Sequence, residues 1–153
     1  MGWYEAERNV GHIIVSYERR NMVIEVVDNN SKYYEFIRCL RNDDRVKSGF
    51  IQTREISREE QSAYMEKHGK NYIIVLVDGN PAGYAGSIDR DIRVCIHPDY
   101  QGKGIGCVLI NSLMGKFPES YAKIKIDNDA SIRMFNKCGF KTKYIIMERE
   151  NET

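Results

Sequence analysis

The chain has 153 residues, 42% of them hydrophobic and 29% charged, with a formal net charge of +1. This is the profile of one ordinary globular domain, large enough to bury a core and without the basic footprint of a nucleic-acid or membrane-surface binder, so neither partner is expected. No stretch reaches the roughly 20 apolar residues of a membrane span, and the first residues carry no apolar signal region.

The elements follow from period and punctuation. His12 to Tyr17 and Met22 to Val27 are β-rich runs separated by Glu18-Arg19-Arg20-Asn21, which predicts a hairpin, so residues 1–21 read as an extra N-terminal strand or hairpin. Asp28 to Ser31 offer caps for a helix over Lys32 to Leu40, where Tyr33, Phe36, Ile37 and Leu40 recur at helical spacing. Asn42 to Thr53 reads as loop. Ser57 with Glu60 forms a capping box opening a helix that runs to about His68 before Gly69.

Three antiparallel strands are expected next: Tyr72 to Val77, Ala82 to Ser87 after the turn Asp78-Gly79-Asn80-Pro81, and Ile92 to Ile96 after a turn near Asp89-Arg90. A helix carrying Ile105, Val108, Leu109, Leu113 and Met114 then ends near Gly115 to Pro118. A strand from Tyr121 to Ile126, a helix from Asp129 to Lys137 and a strand from Lys143 to Met147 complete the order, with Glu148 to Thr153 as a frayed tail. The pattern is that of one α/β (α+β) domain over residues 1–153, with a single central sheet. Cys39, Cys95, Cys107 and Cys138 stand singly, without Cys-x-x-Cys pairs or a His cluster. Neither a disulfide framework nor a metal site is therefore expected, and a reducing cytoplasm is the expected location.

The most informative run is Val94-Cys95-Ile96-His97-Pro98-Asp99-Tyr100-Gln101-Gly102-Lys103-Gly104-Ile105-Gly106, an apolar strand emptying into three alternating glycines and a helix. Backbone amides freed at such a helix start, the helix dipole and the close approach that glycine permits make an anion nest suited to a pyrophosphate. A Walker loop is excluded, because no Ser or Thr follows a Gly-Lys pair at the required spacing. The dinucleotide fingerprint fails too, because Cys107 stands where its third glycine belongs.

Gln101-Gly102-Lys103-Gly104-Ile105-Gly106 instead fits Gln/Arg-x-x-Gly-x-Gly/Ala, and it resembles the coenzyme A pyrophosphate loop of the GCN5-related N-acetyltransferases, the GNAT family. Asn128-x-x-Ser131-x-x-Met134-Phe135-x-x-x-Gly139-Phe140 resembles that family's second cofactor motif. The resemblance covers residues 22–147 and is strongest from residue 72 onward. It implies a three-layer fold with a central mixed, mostly antiparallel sheet flanked by helices, and transfer of an acetyl group from acetyl-CoA to an amine without a metal.

The resemblance also assigns roles. The strand holding Val94, Cys95 and Ile96 is expected to splay from its neighbour, offering main-chain groups to the pantetheine arm and the thioester oxygen. Gln101, Gly102, Lys103, Gly104, Ile105 and Gly106 are expected to take the phosphates, with the Lys103 side chain equally readable as an exposed lysine. Asn128 and Ser131 read either as cofactor contacts or as caps.

Phe135 departs from the family pattern. The tyrosine usual there can protonate the leaving thiolate and phenylalanine cannot, with Tyr84, Tyr100, Tyr121 and Tyr144 as possible substitutes. The expected base is Asp91, then Asp89, beside a reading of Asp89-Arg90-Asp91 as a plain turn. His97 before Pro98 reads as a turn residue, and Cys95 as a core residue rather than a covalent nucleophile.

Arg38, Arg41 and Arg45 are expected either to grip an anionic part of the acceptor or to form a solvated face. The expected acceptor is the primary amine of a small molecule or amino sugar. The alternatives are a protein N-terminus or lysine, and a cofactor-binding module without catalysis. The expected assembly is a monomer or homodimer.

Overall fold

The structure, a computed structural model, describes residues 13–150; His12 and the rest of residues 1–12, with residues 151–153, lie outside the described part. Five strands, β1 (Ile13–Arg19), β2 (Met22–Asp28), β3 (Tyr72–Val77), β4 (Asn80–Ile88) and β5 (Asp91–Ile96), form one antiparallel sheet in chain order. Three of its connections are two-residue turns held at positive φ: Arg20 and Asn21, Asp78 and Gly79, and Asp89 and Arg90. Turns of this kind match the twist of the strands they join. The expected hairpin is thus present with a tighter turn, and Asn80 and Pro81 belong to β4 rather than to the turn. Pro81 lies opposite Leu76 beside a register shift in β3, where its missing N–H does not break a regular ladder.

Alternation along the strands separates two cores. Ile24, Val26, Ile73, Val75, Ala85 and Ile92 face α4 (Ile105–Lys116) and α5 (Asp129–Lys137), which contribute Ile105, Leu109, Ile110, Leu113 and Phe135. On the opposite face Val27, Ile74, Leu76, Tyr84 and Cys95 meet α1 (Tyr34–Asn42) and α3 (Arg58–His68) through Ile37, Leu40 and Met65. This is the three-layer arrangement expected. Ser57 caps α3 by accepting from the Glu60 N–H at 3.1 Å. The segment read as loop contains a short helix, α2 (Asp44–Lys47), because the Asp43 carboxylate accepts from the Arg45 N–H.

Two expected strands are corrected. In Tyr121 to Ile126 only Tyr121 pairs, as an isolated parallel bridge to Asp91, and residues 143–147 have no strand partner. Tyr144, Ile145, Ile146 and Met147 are 87%, 81%, 69% and 91% exposed. Their β-rich composition reports fitness for a pleated, half-buried surface and does not itself supply a neighbouring strand.

A further correction concerns the cysteines. Cys107 on α4 and Cys138 at the end of α5 form a disulfide, closing a separation of 31 residues. Neither spacing nor a paired motif marks them, since they meet only when the two helices pack.

Candidate active site

The site begins where β5 leaves its neighbour. The Ile92 N–H donates to the Tyr121 carbonyl at 2.9 Å and the Tyr121 N–H to the Arg90 carbonyl at 2.8 Å. Beyond this point the two segments run in the same direction with no further bridge between them. The result is a slot closed at Asp91 and open at the end where β5 runs into the glycine loop.

Backbone directions alternate along β5, so with Ile92 turned toward Tyr121 the main-chain groups of Val94 and Ile96 also face the slot. Cys95 does the reverse. Like His97, whose N–H donates to the Ala82 carbonyl at 2.8 Å, it turns its main chain to β4, so of the three residues expected to offer main-chain groups Val94 and Ile96 turn theirs to the slot. The Ile96 carbonyl accepts from the Gln101 side-chain amide at 3.0 Å, which folds the loop back on the strand.

Gly104 is the N-cap of α4, at φ +79, and has no side chain with which to cap the first turn. The N–H groups at the start of that helix have no intrahelical acceptor and point outward with the positive end of the helix dipole. A Cβ on Gly106 would lie 2.4 Å from the Met134 sulfur. This third glycine of the motif therefore leaves room for Met134 of α5 beside the first turn of α4, while its own N–H is one of the amides of that turn. Lys103 carries its ammonium 5.7 Å from the Tyr100 ring centroid. The guanidinium of Arg19, from the far hairpin, stands against Gly104: a Cβ there would lie 2.7 Å from Nη1.

The second motif closes the other side. The Asn128 side chain accepts from the Ser131 N–H at 3.2 Å and donates to the Gly49 carbonyl at 3.3 Å. Asn128 thus caps α5 and ties it to the segment between α2 and α3, and Ser131 enters through its main chain. Phe135 is 4% exposed and meets Phe140 edge-on at 5.1 Å between centroids. It is a core ring under the slot.

Of the residues singled out for chemistry, Cys95 and, two pleats away, Asp91 lie on the face of β5 that meets the α1 core. Asp91 is 17% exposed and has the Arg93 guanidinium 3.3 Å away. Asp89 lies in the positive-φ turn just before it. The Cys95 thiol is 8% exposed, and burial pushes its pKa up to about 12. Tyr84 is buried beside it, with its phenol also pushed up by burial. Tyr121 is 41% exposed at the closed end of the slot, and Tyr144 is 87% exposed. His97 takes the turn role, its Nδ1 accepting from the Asp99 N–H at 3.1 Å.

The arginines of α1 and α2 are largely committed within the chain. Arg38 binds Glu35 and the Ile56 carbonyl, Arg41 lies over Phe50 at 4.9 Å, and Arg45 pairs with Asp43 at 2.7 Å. Hydrogen bonds from Arg45 hold the Asp43 carboxyl at about 2. Beside the loop, a cleft of about 360 Å³ lies between α1 and the end of β5, with Phe36, Cys39, Asp43, His97, Asp99 and Tyr100 among its walls. Sequence reasoning missed the Arg19 contact, the Asn128 to Gly49 bond and the disulfide. Each joins segments distant in the chain and has no local signature.

The geometry is that of an α/β domain with a glycine-rich loop, and a helix start that no side chain caps, at the mouth of a slot between splayed parallel segments. The acetyltransferase (GNAT) family matches the chain over residues 33–140, and the chain belongs to that family. A Yersinia pestis (strain Pestoides F) protein named acetyltransferase is 34% identical over 70 residues, 42% of this chain and 50% of that protein. The chain thus spans about half the length of the curated relatives it matches.

Solved structures share the fold. YncA of Salmonella typhimurium, solved with its cofactor acetyl-CoA, superposes with a TM-score of 0.67 at 21% identity, covering 79% of this chain and 81% of that one. Spermidine N-acetyltransferase of Vibrio cholerae, solved with CoA and spermine, gives a TM-score of 0.69 at 19% identity, covering 82% and 85%. Among the described residues, no group of three or more His, Cys, Asp or Glu is placed to hold a metal ion, and no helix is long and apolar enough to cross a membrane.

Proposed function

We propose that the protein is an acetyl-CoA-dependent N-acetyltransferase acting by direct transfer on the primary amine of a small cationic molecule. The observation that carries this reading is the splay, in contact at Asp91 and Tyr121 and open toward the uncapped start of α4. Acetyl-CoA, when bound, supplies an acetyl group activated as a thioester.

The chain's own residues supply the rest. First-turn amides of α4 bind the diphosphate, and the slot-facing main chain of Val94 and Ile96 orients the arm and polarises the carbonyl. Asp91 receives the proton of the amine, directly or through water. No proton is needed from Phe135, because a thiol ionises more readily than an ammonium and can depart unprotonated.

The cleft beside the loop supports a small acceptor, since its size falls at the low end of small-molecule sites. Its carboxylates, Asp43 and Asp99, outnumber the one arginine that pairs with them among the described residues, Arg45. That balance favours a cation. The fold shared with an enzyme solved with spermine is in keeping with an amine acceptor.

Thiol release from acetyl-CoA, followed across polyamines, amino sugars and peptides with free N-termini, tests the proposal. Turnover is expected with a small cationic amine. Turnover only with peptides would favour a protein acceptor, and tight cofactor binding without turnover on any amine would favour a non-catalytic module.

A further inference from the structure

The first turn of α4 is crowded by positive charge. Arg19 ends β1, at the edge of the sheet opposite β5, yet its guanidinium reaches the glycine loop, against Gly104 just ahead of the first turn of α4. A Cβ built on Gly104 would stand 2.7 Å from Nη1, 3.3 Å from Cζ and 3.4 Å from Nη2, so the whole guanidinium group lies against that glycine. Arg20 and Asn21, at φ of 50° and 63°, fix the turn that follows it.

Arg19 has no ion-pair partner among the described residues. Its neighbour is the Tyr17 phenol, toward which it directs its charge and a side-chain hydrogen bond. A cation beside the positive end of a helix is repelled by the dipole, and Lys103 adds a second cation on the same loop. An anion lodged among the three converts that repulsion into attraction. A planar guanidinium presents paired N–H donors that match phosphate oxygens.

We propose that Arg19 binds the cofactor's diphosphate, so that the β1–β2 hairpin forms the outer wall of the cradle. Arg19 lies outside residues 33–140, where the family matches, so the assignment is argued from this chain's own β1–β2 hairpin. The assignment rests on the reading of the glycine loop as a coenzyme A site.

Calorimetry on the full chain tests it, with coenzyme A and 3′-dephospho-coenzyme A titrated into wild type, Arg19→Ala, Arg19→Gln and Arg19→Lys. Charge-assisted hydrogen bonds at an exposed site set the expected scale, a loss of about tenfold in affinity. Arg19→Ala and Arg19→Gln should weaken both ligands alike, and Arg19→Lys should recover part of the loss. Melting followed by circular dichroism checks that the variants stay folded, and Arg19→Gln keeps most of the stem should the alanine variant fail.

A wild-type protein that binds while the Arg19 variants bind equally well overturns the assignment and leaves the cradle standing. A loss confined to coenzyme A, with the dephospho form unaffected, moves the contact to the 3′-phosphate and overturns it too. A wild type that binds neither ligand removes the cradle itself.

Discussion

Cys95 and Asp91 stand on one strand and one face, two pleats apart, and their surroundings separate their chemistry. Burial raises the Cys95 thiol to about 12, so it stays neutral through the range near pH 8.5 where an ordinary thiol ionises, and only the thiolate is a nucleophile. Native protein treated with iodoacetamide at pH 8.5 should therefore be alkylated at exposed Cys39 and spared at Cys95, as read by mass spectrometry. Cys95→Ala should keep acetyl transfer within about threefold; loss of all transfer with cofactor binding intact would mean a covalent acyl-enzyme. For Asp91→Asn the expectation is the reverse, a fall in kcat of about 10²-fold or more with the dissociation constant for coenzyme A unchanged, the usual scale for loss of a proton acceptor. An unchanged kcat would move the proton-accepting role elsewhere.

At the scale of elements, α4 does two jobs. Its first turn makes the proposed cradle, and its buried stripe of Ile105, Leu109, Ile110 and Leu113 fastens that turn to the sheet. Leu109 is fully buried, so Leu109→Ala should lower unfolding free energy by about 2–5 kcal/mol in urea denaturation. A change below about 1 kcal/mol would mean that the helix is not seated as described.

The same contrast explains what the sequence made visible. Helix starts, hairpin turns and the glycine loop are governed by residues a few positions apart, so Ser57 with Glu60, Asp78-Gly79 and Gln101 to Gly106 were legible. The strands expected at 121–126 and 143–147 failed because pairing depends on a neighbour that no local pattern contains. Gly106 was legible as a motif glycine, but its reason, the Met134 sulfur of another helix, was not.

Across the whole molecule, the site is assembled from pieces that meet only after the layers have packed: the β1–β2 hairpin at Gly104, the segment after α2 at Asn128, and α5 on α4. The Cys107–Cys138 disulfide covalently joins the last pair. By the loop-closure argument a crosslink of this span is worth about 2–4 kcal/mol. Reductant, or Cys138→Ser, should lower the thermal midpoint, measured by calorimetry, and coincident melting curves with and without reductant would contradict that contribution. The parts legible in the sequence were those lying within one element, and the remainder of the site is a product of tertiary contact.

The central claim is that the start of α4 is a cradle for the diphosphate of an acyl carrier, and titration of coenzyme A into wild type and Gly104→Val tests it most directly. A valine there forces a β-branched residue to positive φ and displaces the Arg19 guanidinium from the helix start. One-to-one binding by wild type, weakened at least about tenfold in a variant that still melts cooperatively, is the expected result, on the scale of a lost charge-assisted contact. Wild type that takes up no coenzyme A, or a valine variant that binds it undiminished, would contradict the claim.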